Sequence, residues 1–360
     1  MWPALFKEEP PIGCDIHDRG IRLAQIRRNG RVHQASRQWT PGTVERSGGD
    51  DFLVRVLKQL LREGRFRGER VVACADRSQV WSHSVSFGRM PDDELRGAVH
   101  WRLADEKQLA SGDFCSDFLR CGKNVADGKT ELILLAMGSD KTQLERQAAV
   151  FKRAGLEPWA IEPSVTALAR CIHACSTGGG SDKPMAFLEI NETVSNIVVA
   201  DAGVPRVWRT GIGINQVDET VATRQNTDRT FAAQAREAVG SNVDEAQWPC
   251  EQLTRAAAIE ALEAGFIRLA RDLSRQVVVA LNFYSQTART AAPNELRIMS
   301  SSGVSDALLE HLRNSRDFAV HDGNEPMLTP KGRTLDPALA CAAGLAMYED
   351  PVAATVAEVA

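Results

Sequence analysis

Pro11-Ile12-Gly13-Cys14-Asp15-Ile16-His17-Asp18-Arg19-Gly20-Ile21-Arg22-Leu23-Ala24-Gln25-Ile26-Arg27-Arg28-Asn29-Gly30-Arg31-Val32-His33-Gln34-Ala35 is the first patterned stretch of the 360-residue chain. Apolar and polar residues alternate through Ile12–Ile16 and Ile21–Ile26, the period of two that marks a half-buried strand. A loop at Asp15–Gly20 separates the two. Asn29-Gly30 is the strongest short hairpin signal, because both residues tolerate positive φ, and Arg31–Ala35 returns as a third strand. The stretch reads as a β-meander.

The same unit recurs after Ser176-Thr177-Gly178-Gly179-Gly180-Ser181-Asp182, a linker by composition. Met185–Ile190 is a strand, Asn196–Ala200 a second, Asp201-Ala202-Gly203 a turn and Val204–Arg209 a third. In both copies an acid–isoleucine pair precedes the turn glycine: Asp15-Ile16 before Gly30, and Glu189-Ile190 before Gly203. This is an internal repeat of one supersecondary unit. Such a repeat has two readings. Its loops would face each other across a cleft and grip polyphosphate with a magnesium ion, or both are simply sheet-forming hairpins.

Between and after the meanders the pattern switches repeatedly. Leu53, Val56, Leu57, Leu60 and Leu61 line one face of a helix. Val71–Ala75 reads as a buried strand and Val80–Phe87 as another, while Met90-Pro91-Asp92-Asp93-Glu94-Leu95 opens a helix with proline and acids in its first turn. A strand over Thr130–Met137 and a helix over Thr142–Ala154 follow, and Gly155 caps that helix in the left-handed conformation. Residues 214–245 are polar and helical, Ala257–Tyr284 is a long helix, and Asp336–Met347 is a closing helix rich in Ala and Gly. Leu296–Met299 runs into Ser300-Ser301-Ser302-Gly303 and the helix Ala307–Arg313. Strand, small-residue loop and helix present backbone N–H groups to a ligand.

Charge and composition exclude several function classes. With 43 Lys and Arg against 47 Asp and Glu, the net charge of −4 gives no general pull toward nucleic acid or anionic lipid. The basic residues of Arg62–Arg70 alternate with acids and glycines, as on a solvated helix end. No apolar run reaches the roughly 20 residues needed to cross a bilayer, and the first residues lack the basic start and apolar core of a signal peptide, so a cytoplasmic chain is expected. Eight dispersed cysteines fit reduced core thiols. Cys171, His173 and Cys175 are the one tempting metal cluster, but on a helix His173 points away from the two thiols and no second ligand pair lies at zinc spacing.

Taken in order, these segments resemble the PilM family, the actin-like component of the type IV pilus inner-membrane platform, akin in fold to the cell-division protein FtsA. The family's opening Gly-x-Asp-Ile-Gly-Ser-Ser-Ser-Ile-Lys-Leu is matched by Gly13-Cys14-Asp15-Ile16-His17-Asp18-Arg19-Gly20-Ile21-Arg22-Leu23. Met90–Leu95 with Trp101, Lys152-Arg153-Ala154-Gly155-Leu156, Ile161-Glu162-Pro163, Leu281-Asn282-Phe283-Tyr284, Leu335-Asp336-Pro337 and Ala343-Gly344-Leu345-Ala346 are further landmarks, from about Phe6 to Tyr348. The resemblance implies an α/β fold of duplicated actin-like (ribonuclease H-like) lobes around a nucleotide-type cleft. It divides the chain into an N-terminal arm (1–10), a first lobe (11–175) with a small inserted subdomain (about 70–155), a linker (176–184), a second lobe (185–350) and a tail (351–360). It further implies ATP with magnesium in the cleft, and a groove in the first lobe for the cytoplasmic N-terminal peptide of the membrane protein PilN. Such a protein is peripheral to the cytoplasmic face of the inner membrane and couples the platform to the pilus motor.

Carried onto this chain, the nucleotide contacts would fall to Asp15, Gly20, Arg22, Asn191, Thr193, Ser195, Ser301 and Gly303, with Asp15 holding magnesium. Phosphate loops use glycine and small hydroxyl residues so that backbone N–H groups approach the oxygens closely. Here the first loop carries His17-Asp18-Arg19 instead, and Asp18 near a triphosphate costs on the order of 1–4 kcal/mol at about 4 Å. The second has Asn191 for the expected glycine, a residue that tolerates the left-handed conformation, and the third has Ser300-Ser301-Ser302. The expectation is therefore a scaffold with a degenerate ATP site and weak hydrolysis at most. The alternatives are an active PilM-like ATPase, the cytoplasmic part of a type II secretion or MSHA-type platform protein, or a small-molecule kinase with Glu162 as base.

Overall fold

The computed structural model describes residues 9–39, 43–110, 112–126, 129–176, 183–201, 204–241, 243–244, 248–249, 253–300, 306–314, 318–323, 327–329 and 331–349. The chain divides into two compact units, one comprising Met1–Asp182, Ala200–Arg206 and Asn324–Ala360, the other Lys183–Val199 and Val207–Gly323.

The first unit is built on strands β1 (Ile12–His17), β2 (Gly20–Ile26) and β3 (Val32–Gln38), the meander read from the opening residues. The strands run closer together than the expected Asp15–Gly20 loop, and only Asp18 and Arg19 form the turn. Asn29-Gly30 turns as its sequence demands: Gly30 has φ +81° and its N–H donates to the Arg27 carbonyl at 2.7 Å. Helices α1 (Thr43–Arg46) and α2 (Asp50–Glu63) lead to β4 (Arg70–Cys74), which pairs parallel with β1. After β5 (Val80–Gly88), α3 (Asp92–Lys107), β6 (Phe114–Ala126), β7 (Lys129–Asp140) and α4 (Lys141–Ala154), strand β8 (Glu157–Glu162) completes a sheet of order β3-β2-β1-β4-β8. The predicted cap holds, since Gly155 lies at φ +86°, and Asp140 accepts from the Gln143 N–H at the other end of α4.

One face of this sheet packs Ile12, Cys14, Ile21 and Leu23 against Val54, Leu57 and Leu60 of α2 and Val150 and Phe151 of α4. The alternating sequence predicts that the other face is open to water, and here the structure differs. A 3-10 turn at Pro337–Leu339 feeds the closing helix α10 (Ala340–Ala346), which lies over Gly13 and packs on α5 (Ser164–Ser176). Strand β1 is thereby buried on both faces, Asp15 included.

Strands β5, β7 and β6 form a separate antiparallel sheet, in that order. It carries its own core of Leu95, Val99 and Leu103 from α3 against Phe114, Leu132, Leu134 and Ala136. These elements span residues 80–140, within the stretch of about 70–155 expected for an insert.

The second unit repeats the first. Strands β9 (Met185–Ile190), β10 (Ser195–Asp201) and β11 (Val204–Thr210) precede helices α6 (Asn215–Gln225), α7 (Arg229–Gly240) and α8 (Arg255–Ala288). Strand β12 (Glu295–Ser300), helix α9 (Asp306–Arg313) and strand β13 (Ala319–Asp322) follow. The sheet order β11-β10-β9-β12-β13 matches β3-β2-β1-β4-β8 position for position, and in both sheets the last three strands run parallel. The polar stretch 214–245 thus holds two helices, α6 and α7. Short strands β14 (Met327–Leu328) and β15 (Thr334–Leu335) pair before α10. No helix among the described residues is long and apolar enough to cross a membrane.

Candidate functional site

Asp15 sits near the end of β1, opposite Arg22 of β2, and is 1% exposed. Because β4 runs parallel beside β1, the turn that follows β4 emerges next to Asp15. That turn is pinned by Asp76, whose carboxylate accepts from the Ser78 N–H and hydroxyl, and it delivers Arg77. The guanidinium donates from Nη1 to Asp15 Oδ1 at 2.8 Å and from Nη2 to Cys341 Sγ at 3.5 Å. Burial alone would raise the Asp15 carboxyl, but Arg77, helped by His17 and Arg22, outweighs it and holds the group at about 2. Asp15 is therefore ionised and already carries a cation.

His17 projects from the same face of β1, two residues on. Its Nδ1 accepts from the Arg19 N–H at 3.2 Å, so the neutral ring carries its proton on Nε2, which is buried without a partner. Burial pushes its basicity down to about 3, against the pull of Asp15 and with the help of Arg22, Arg77 and Arg19. The ring brings no positive charge to the first loop at neutral pH. Gly20 begins β2 where the Arg37 carbonyl oxygen would stand 2.4 Å from an added Cβ, so this glycine serves the close approach of β3.

In the second unit Glu189, at the equivalent end of β9, is 2% exposed and accepts from Asn196 Nδ2 at 2.8 Å. The following loop is held by its own backbone: Asn191 donates to the Val194 carbonyl and accepts from the Ile214 N–H, each at 3.0 Å. Asn191 does not adopt the left-handed conformation that its sequence position allows; the non-glycine residues with positive φ among those described are Arg65, Gln108, Asn226 and Arg289. Ser195 donates to the Ile212 carbonyl at 2.7 Å, and Thr193 is exposed. Arg236 of α7 secures the loop from behind, bonded to Asp218 at 2.7 and 3.0 Å and to Glu192 at 3.3 Å. Ser301 and Gly303 lie outside the described residues.

Glu162, the kinase-base candidate, ends β8 with both oxygens engaged. Arg170 holds them in a fork at 2.8 and 2.9 Å, and the Thr166 hydroxyl donates at 2.8 Å. A third bond from Arg170 reaches the Gly344 carbonyl at 2.7 Å, so the cluster fixes α10. Cys171 and Cys175 share a helix face with sulfurs 3.9 Å apart, as the spacing predicts. The grouping of metal-binding side chains among the described residues is a different one, Asp15 with Cys74 and Cys341. Sequence reasoning missed Arg77, Arg170 and Cys341, and only Arg77 left a trace there, as a charged turn directly after a buried strand.

Scans against protein-family models and curated proteins give no match. Among solved structures, a chain of the PilM–PilN type IV pilus biogenesis complex superposes on 94% of this chain and 98% of its own length, at 17% identity and a TM-score of 0.70. The fold is actin-like. Other proteins of this actin-like fold superpose with lower scores. The nucleotide-free diol dehydratase-reactivating factor gives 0.54 at 9% identity, covering 94% and 99% of the two chains. The ethanolamine utilization protein EutJ from Carboxydothermus hydrogenoformans gives 0.50 at 11% identity, covering 96% and 91%. The repeated sheet order read above is the duplication on which the actin-like fold is built.

Proposed function

We propose that this chain is a platform component of a type IV pilus or a related secretion apparatus, a scaffold that takes the cytoplasmic N-terminal peptide of a PilN-like membrane protein. It works at the cytoplasmic face of the inner membrane, held there through its partners. The observation that carries this reading is the likeness, over nearly the full length of both chains, to a chain of the PilM–PilN complex. Landmark segments in matching order support it from the sequence side. We assign the docking surface to the first unit, whose subdomain built on β5, β7, β6 and α3 exposes Trp101 to 69%.

The scaffold does not depend on nucleotide turnover. Asp15, the carboxylate that would hold a hydrated magnesium ion, is neutralised by Arg77 at 2.8 Å. A magnesium ion beside that guanidinium, with no further anionic ligand to offset its charge, meets repulsion of about 8 kcal/mol at about 4 Å and an effective dielectric of about 20. Asp18 adds a negative charge at the phosphate loop, and His17 does not offset it. In the second unit the Asn191 N–H is taken by the Val194 carbonyl and the Ser195 hydroxyl by the Ile212 carbonyl, so neither donor is open to a phosphate. MgATP at millimolar concentration is expected to leave the melting temperature of the purified chain unchanged. A rise of several degrees that disappears in Asp15→Asn would assign it instead to the nucleotide-binding platform proteins.

A further inference from the structure

Asp15, Cys74 and Cys341 come from three elements that are distant in sequence: the end of β1, the end of β4 and the start of α10. One carboxylate oxygen and the two sulfurs all lie within 4.8 Å of one another. All three side chains are buried, at 1%, 0% and 5% exposure. Arg77 satisfies Asp15 Oδ1, yet Oδ2 is buried with no hydrogen-bond partner, a costly arrangement that native structures rarely leave without a compensating group.

We propose that Asp15, Cys74 and Cys341 bind a thiophilic divalent cation, zinc, in place of the hard magnesium ion expected at this carboxylate. The donor set decides the metal: two sulfurs and one carboxylate oxygen suit zinc, whereas magnesium takes oxygen ligands and retains water. Zinc–sulfur bonds of about 2.3 Å and zinc–oxygen bonds of about 2.0 Å place tetrahedral donors about 3.5–3.8 Å apart, so the ligands close by roughly 1.3 Å at most. Charge balances throughout. Before binding, Asp15 and Arg77 cancel and the two thiols are neutral. On binding, two S–H protons leave to solvent, one of them the proton that Cys74 shares with the Ala75 carbonyl at 3.3 Å. Zinc, two thiolates, one carboxylate and one guanidinium then again sum to zero.

Arg77 keeps its bond to Oδ1 and orients the carboxylate, the usual task of an outer partner in a metal site. The ion links β1 and β4 to α10 and so fastens the helix that covers the second face of the sheet. This site stands apart from the partner-binding proposal, which neither requires it nor fails with it.

The test uses the full chain, stripped with a chelator under reducing conditions and then given Zn²⁺ or Cd²⁺ alone, both after folding and during refolding. One equivalent of zinc is expected to bind and to raise the melting temperature, and cadmium should develop the ultraviolet thiolate charge-transfer band. Cys74→Ala and Cys341→Ala are each expected to weaken binding by about 100-fold or more, at or beyond the upper end of losses seen for outer-sphere changes. Cys171→Ala with Cys175→Ala should change nothing. Should the core variants fail to fold, alkylation of the wild-type chain read by mass spectrometry gives the same answer, with zinc shielding Cys74 and Cys341 selectively. Absence of stoichiometric binding, a cadmium band that survives loss of both Cys74 and Cys341, or zinc that shields other cysteines instead would overturn the proposal and leave Arg77 as the site's sole cation.

Discussion

A single buried carboxylate illustrates how little a strand-end acid reveals by itself. The sequence resemblance casts Asp15 as a magnesium-binding acid, but in the structure its partner is Arg77, which the parallel pairing of β1 and β4 brings to it. Truncation of Arg77 to alanine leaves that charge buried and unpaired, for which the expected loss of stability is about 3–5 kcal/mol. Asp15→Asn in the same background should recover part of it, and equilibrium urea unfolding of the single and double variants measures both. The pH dependence has a clear sign. Asp15 is depressed from 3.8 to about 2, so its contribution is complete above pH 4 and is lost only as pH falls through 2. His17 is depressed from 6.5 to about 3, so the unfolded chain takes up a proton that the folded chain refuses, and stability declines as pH falls from 6.5 toward 3. Between pH 7 and 4 the native chain should therefore lose stability more steeply than His17→Gln. Equal slopes in urea unfolding across that range would show that His17 accepts its proton in the fold.

At the scale of elements, the closing helix determines how the first sheet is buried. Gly344 of α10 has the Ala167 carbonyl oxygen 1.8 Å from where a Cβ would stand, and Gly13 of β1 has the Ala342 carbonyl oxygen at 1.9 Å. Both contacts are backbone, so neither yields by rotating a side chain. Gly344→Ala is expected to cost at least the 1–3 kcal/mol typical of overpacking, while Gly155→Ala, with open space around it but φ +86°, should lose about 1 kcal/mol through strain alone. Thermal unfolding of the two variants checks the ranking.

The meanders were legible because alternation and Asn29-Gly30 are local signals, and α4 because its glycine cap follows a clean apolar period. Strand β6 was not: it is a polar edge strand whose register shifts between Arg120 and Gly122, which erases the alternation. Nor could the sequence place Arg77 and Cys341 at Asp15, since the first lies 62 positions away and the second 264 beyond that. Contacts of that separation depend on topology, and the covering of a strand's second face is one of them.

The molecule as a whole is two copies of one sheet order, each with a buried acid at the end of its first meander strand, and in each copy that acid is engaged by the protein itself. Asp15 is bound by Arg77 and Glu189 by Asn196, while the loop after β9 is closed by Asn191, Ser195 and Arg236. Under the proposed function, a fold whose two strand-end acids are held in this way presents surfaces rather than turning over a nucleotide. The most direct test is calorimetric titration of the full chain with synthetic cytoplasmic N-terminal peptides of PilN-like membrane proteins, with and without MgATP. Saturable one-to-one binding is expected, with affinities in the two conditions agreeing within about fivefold, the lower end of ordinary allosteric coupling. No binding to any such peptide, or binding that appears only with MgATP, would contradict the account.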